Sequence, residues 1–166
     1  MTLITRISLQ IDATNTQVLD LSVPVDDLVY SKRIDLSSGT GAGQADMLWH
    51  DRRTIAASDT EDLDLASALT SSFGATLVFA TIKELLIVAA AANTNDVQVT
   101  RPAANGVPVF LAAGDGLPVA PGGMFHWIAP GSGADVTAGT GDLLTITNSG
   151  AGTTVTYDVV IIGTSA

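Results

Sequence analysis

The chain has no cysteine, few charged side chains and few aromatic ones. Without cysteine there is no disulfide framework, no thiolate nucleophile and no Cys-ligated metal, so stability must come from packing and association. Asp, Glu, Lys and Arg make up 14% of the 166 residues, against about 25% in an average soluble protein. Bases are scarcest, 7 against 17 acids, for a formal net charge of −10. That balance argues against nucleic acid and anionic membranes as partners, since both need basic patches. A membrane-length apolar run is missing too: residues 77–92 form the most apolar stretch, but Lys83 and Glu84 interrupt it and it is too short for a bilayer. The opening "MTLITRISLQ" lacks the basic start and apolar centre of a secretory signal. Neither Gly-Lys-Ser/Thr nor Gly-x-Ser-x-Gly occurs, which removes the P-loop and the hydrolase nucleophile elbow.

What the chain does have is period-two alternation. In "TLITRISLQI", Leu3, Ile7, Leu9 and Ile11 alternate with Arg6, Ser8 and Gln10, as a half-buried strand requires. Residues 17–23, 28–36, 45–56, 61–66, 76–80, 82–91, 96–100, 107–111, 124–129, 142–148 and 153–162 are further strand candidates. Gly-x-Gly pairs and the Pro-Gly-Gly at 121–123 supply the turns between them. Segment "TIKELLIVAAAAN" has helix formers, yet its β-branched residues and the Asn-Thr-Asn after it favour a buried strand. The one departure considered is a short helix or helical turn near 66–72, "ASALTSS". The fold class is therefore all-β: a single-domain antiparallel β-sandwich, jelly-roll-like. Residues 1–27 are read as N-terminal strands, an arm or anchor, and 28–166 as the sandwich.

Charge is also unevenly placed. Residues 1–66 carry eleven acids and five bases, residues 67–166 only six acids and two bases. A surface covered by Thr, Ser, Gly and Ala suits contact with another subunit better than life as a free monomer.

The run "SSGTGAGQADMLWHDRR", residues 37–53, raises the sharpest question of chemistry. Its third glycine is out of register for a dinucleotide fingerprint, and "QADMLWHD" alternates like a strand where a helix would be needed. A hairpin turn is expected instead. On the following strand Met47, Trp49, Asp51 and Arg53 share one side, and Leu48, His50 and Arg52 the other. His50 and His126 are the only histidines, too few for a catalytic zinc site with three protein ligands. Arg52 and Arg53 are expected to pair with acids or meet a neighbouring subunit. Trp49 and Trp127 are the aromatic candidates for a sugar platform. The acids of 58–66 (Asp59, Glu61, Asp62, Asp64) read as a solvated turn, with calcium as the alternative. No catalytic, cofactor or metal residue set emerges, and the chain is expected not to be an enzyme. Trp49, Arg52, Arg53 and Trp127 are the candidate interface or ligand contacts.

Four phrases, "YSKRIDLSSGTGAGQADMLWHDRRTIAASDTEDLDLA", "LTSSFGATLVFATIKELLI", "PGGMFHWIAP" and "VTAGTGDLLTITNSGAGTTVTYDVVIIG", resemble small β-rich virion proteins of tailed bacteriophages. The resemblance spans roughly residues 28–163. It implies a non-enzymatic structural role, most simply a capsid surface (decoration, cement or vertex) protein in the virion. The implied state is a trimer or pentamer in contact with the major capsid protein or other virion proteins. A small tail or baseplate component binding host carbohydrate is the alternative. No functional residue is carried over, and 1–27 lie outside the resemblance.

Overall fold

A computed structural model of the chain describes residues 2–166. Among these residues there are twelve strands and no helix: β1 Thr5–Thr16, β2 Val25–Ser38, β3 Gln44–Ala45, β4 Met47–Ile55, β5 Thr60–Asp64, β6 Thr81–Ala89, β7 Val97–Thr100, β8 Gly116–Val119, β9 Met124–Ile128, β10 Ala134–Asp135, β11 Leu143–Asn148 and β12 Val155–Thr164. Two antiparallel sheets pack face to face. The first runs β4–β12–β6, with β9 and the short β10 sharing the far edge of β6; the second runs β5–β11–β7–β8. The pairing is nested. β4 pairs with β12, β5 with β11, β6 with β9 and β7 with β8, so the chain from Met47 onward doubles back along its own length.

The alternation seen in the sequence is what fills the space between the sheets. β12 sends Val155, Tyr157, Val159 and Ile161 inward, β6 sends Leu85, Ile87 and Ala89, and β11 and β7 answer with Leu144, Ile146, Val97 and Val99, all fully buried. Each large aliphatic side chain so buried contributes about 1.5–3 kcal/mol. "TIKELLIVA" is a strand, as its β-branched residues suggest, because β9 and β12 flank it on both edges and pair with it along its length. Its one irregularity is a bulge: Glu84 faces Ile162 and Ile82 faces Gly163, leaving Lys83 over. The bulge lets Ile82 and Leu85 both point into the core, and Lys83 Nζ donates to the carbonyls of Gly131 (2.6 Å) and Ser132 (3.1 Å). Position 163 must be glycine at that point, since a Cβ would come within 2.0 Å of the Thr81 carbonyl oxygen.

Five segments depart from the expected pattern. Residues 17–23 do not form a strand; they make the turn joining β1 to β2, closed by Gln17 N→Pro24 O and Leu19 N→Ser22 O bonds. Residues 76–80 form no strand and bridge only at Thr76 to Thr70. Residues 107–111 are a turn hung from the sheet by Val107 N→Leu143 O. Conversely, β8 arises at "GLPV", where Pro118 hides the strand signal; an edge position is where a strand tolerates proline. Residues 65–68 turn without forming a helix.

The remaining element is an arm. β1 and β2 form one antiparallel ladder of twelve pairs, from Thr5↔Leu36 to Thr16↔Val25. Every residue from Ser8 to Arg33 is exposed, so roughly 30 Å of two-stranded ribbon stands clear of the sandwich. The division expected at 27/28 falls inside β2. At the root, Leu3, Ile34, Leu36 and Ala45 pack on Val160 and Ile162, on the outer face of the first sheet.

Candidate interaction surface

Cross-strand register assigns the arm two unlike faces, because directly opposed residues share a face. One face carries Ile7, Leu9, Ile11 and Ala13 from β1 beside Ile34, Lys32, Tyr30 and Leu28 from β2. The other carries Arg6, Ser8, Gln10, Asp12 and Thr14 beside Asp35, Arg33, Ser31, Val29 and Asp27. The first face is thus apolar, and it continues into the buried root through Ile7 and Ile34. Beyond the root it has no cover: Leu9, Ile11, Tyr30 and Leu28 are about half exposed. The turn adds Val18, Leu19, Leu21 and Val23, with Leu21 100% exposed. A lone two-stranded ribbon is marginal in water, and a contiguous apolar face of this kind marks an interaction site.

Charge is graded along the same arm. Residues 12–31 hold four acids (Asp12, Asp20, Asp26, Asp27) and no base, whereas the root segments hold Arg6, Lys32 and Arg33 against Asp35. Arg33 Nε sits 2.8 Å from Asp35 Oδ2 and Arg6 Nε 3.2 Å from Oδ1. Chiefly through the Arg33 hydrogen bond, the Asp35 carboxyl is held below the usual carboxylate range.

The glycine loop of 39–43 is a turn, though not of a hairpin, since β2 and β3 run parallel across it. The amides of its three glycines are committed: Gly39 N to Ala45 O, Gly41 N to Gln44 Oε1 and Gly43 N to Pro130 O. A phosphate cradle needs those N–H groups free.

Register also places the histidines and tryptophans. His50, Val160, Leu86 and His126 form one row across the outer face of the first sheet. Three strand spacings, about 14 Å, separate the two imidazoles, too far to share a metal. His126 Nε2 instead lies 2.8 Å from Glu84 Oε1, while Glu84 Oε2 is buried with no hydrogen-bond partner among the described residues. Trp49, Ile161, Leu85 and Trp127 form a row on the inner face. Trp49 is 5% exposed within the core and Trp127 packs against it. Both indoles, the aromatic candidates for a sugar platform, lie on the inner face, Trp49 buried and Trp127 partly so.

Comparison with family models, curated proteins and solved structures finds no match.

The two arginines part company. Arg52 lies outward and makes a two-pronged pair with Asp158, Nε–Oδ1 2.6 Å and Nη2–Oδ2 2.9 Å. The pair lowers the Asp158 pKa and raises that of Arg52, both through the hydrogen bond first; its exposure limits its weight in stability. Arg53 belongs to a clamp between the sheets. Its Nε donates to Glu61 Oε2 (2.7 Å), Nη1 to Asp51 Oδ2 (3.0 Å), and Tyr157 OH donates to Glu61 Oε1 (2.8 Å). The rest of the acidic run is locally engaged: Asp59 accepts from Thr60 N, Asp62 from Thr145 Oγ1, and Asp64 from Ala66 N and Ser67 Oγ. Among the described residues no three His, Asp or Glu side chains converge in a way that could hold a metal ion.

Burial, followed by the bond to Glu61, pushes the Tyr157 phenol well above its ordinary value of 10.0. The sign follows directly. A raised folded-state pKa gives stability that is complete below 10.0 and is lost as the unfolded tyrosine ionises above it. Wild-type stability is therefore expected to fall by up to about 1.4 kcal/mol per pH unit more steeply than that of Tyr157→Phe between about pH 10 and 12. Urea titrations of both proteins across that range check it; parallel curves would contradict the clamp.

Proposed function

We propose that the chain is a non-enzymatic structural protein of a bacteriophage virion, a capsid surface protein of the decoration or cement kind. The arm carries this reading: an amphipathic ribbon with an uncovered apolar face serves no solitary protein. The nested strand pairing supports a jelly-roll winding of the sandwich, an architecture used by viral capsid and lectin domains. Fold analogy alone does not choose between those two. The inward position of Trp49 and Trp127 favours the capsid role over the tail or baseplate role in binding host carbohydrate.

In this role the protein works by contact area. Copies gathered about a local axis, as a trimer or pentamer, bind the assembled shell through the major capsid protein and do not bind its separated pieces. Binding only the assembled state stabilises it by mass action. The sparsely charged flanks of residues 67–166 suit burial between such copies. The test is a reconstruction of the intact particle together with peptide mass spectrometry of washed particles. Density for this sandwich on the shell is expected; its absence from washed particles overturns the assignment.

A further inference from the structure

We infer that the arm's apolar face docks on the same face of a second copy, the two ribbons packing antiparallel about a twofold axis. The inference names a partner for the assembly role proposed above and rests on that reading only for its setting.

The apolar face is complementary to itself in one orientation. From root to tip its cross-strand pairs are Leu9/Lys32, Ile11/Tyr30, Ala13/Leu28 and Asn15/Asp26. A twofold axis in the interface plane, crossing the arm at the Asp12/Val29 level, lays β1 over the partner's β1 and β2 over the partner's β2. Lys32 then faces the partner's Asp26, and Asp26 faces the partner's Lys32. Tyr30 meets Leu28, and the larger Ile11 meets the smaller Ala13. Sheet faces pack about 10 Å apart, within the combined reach of lysine and aspartate side chains. Shifted registers and the parallel orientation lose this charge match: in the latter β1 lies over the partner's β2, so Lys32 faces Leu9 and Asp26 faces Asn15.

The gradient of charge agrees. Antiparallel docking brings the acidic distal half of each arm level with the more basic root of the other, although of the ladder's charges Lys32 and Asp26 alone lie on the docking face; Arg6, Arg33, Asp12 and Asp27 lie on the opposite one. The same overlap brings the turn, with Val18, Leu19, Leu21 and Val23, to the partner's root. Beside that root lies an apolar cleft of about 390 Å³ lined in part by Leu3, Leu48, Phe73 and Leu77. Phe73 is 79% exposed there. Because the contact is isologous it closes at two copies, leaving the sandwich flanks free for other contacts.

Charge reversal tests the pairing without disturbing the fold, since both residues are exposed on the arm. Sedimentation equilibrium at up to about 100 µM, where modest interfaces are populated, is expected to show a wild-type dimer. Lys32→Asp and Asp26→Lys each put like charges opposite twice, and each alone is expected to self-associate roughly tenfold or more weakly. Mixing the two single variants restores both opposite-charge contacts and is expected to yield the heterodimer, as the double variant yields the homodimer. Ile11→Lys, with no charge rescue available, stays monomeric. A monomeric wild type, or single variants that associate like wild type, or a mixture that does not recover, overturns the pairing. Rescue in solution with the chain absent from washed particles would leave the pairing standing and remove the virion role. Chain present on particles without rescue does the reverse.

Discussion

Removing residues 8–33 and joining Ile7 to Ile34 through an Asn-Gly turn is expected to abolish the arm-to-arm dimer while leaving the sandwich folded. Ile7 and Ile34 are directly opposed in the ladder, so a two-residue turn can close the shortened hairpin. All 26 deleted residues are exposed, and their side-chain hydrogen bonds reach no farther than Asp35. The buried root of Leu36, Ile34 and Ala45 on Ile162 stays in place. Wild-type melting temperature should rise with protein concentration, because association stabilises the folded state. The shortened protein should melt at the dilute wild-type value at every concentration. Sedimentation and a concentration series of thermal melts measure both effects. A shortened chain that is unfolded at room temperature would mean that the arm supports the sandwich, contrary to its burial pattern.

Trp49→Ala is expected to cost about 3–5 kcal/mol, the usual penalty for truncating a buried aromatic side chain. Trp49 sits beside Ile161 within the core row that ends at Trp127, so its loss opens a cavity on the inner face. For a domain whose whole stability is about 5–15 kcal/mol, this is a large share. Urea unfolding should show a lower midpoint at unchanged slope. Arg52→Ala is the matched surface control and should leave the midpoint near wild type, since the Arg52–Asp158 pair is solvent-exposed. A normal midpoint for Trp49→Ala would place the indole outside the core.

The sandwich was largely readable from the alternation of residues such as Leu144/Ile146 and Val155/Tyr157/Val159/Ile161, because burial on one face forces period two. Where that signal failed, a specific competing force was at work. β8 was hidden by Gly116 and Pro118, residues that lower strand propensity everywhere except at an edge. "VPVFL" at 107–111 has strand composition but turns, its Val107 amide bonded to Leu143. Leu19, Leu21 and Val23 alternate as a strand would, yet they cap the arm, since their apolar surface is not directed at the chain's own core. The arm's amphipathic faces were visible as parity in Leu9 and Ile11. Its pairing was not, because the turn at 17–24 lacks an Asn-Gly or Gly-Gly marker to fix where the chain reverses. The inward aim of Trp49 followed from parity only once β4 had a known partner; the sequence by itself left the sign of that face open.

Pro118 also bears on how large an aggregate of this chain can grow. It removes an amide donor from β8, the outermost strand of the second sheet, so another backbone cannot dock there in continuous register. Fibre-like extension, sheet upon sheet, is blocked at that border. A contact made by side chains about a twofold axis, by contrast, ends in a particle of fixed size.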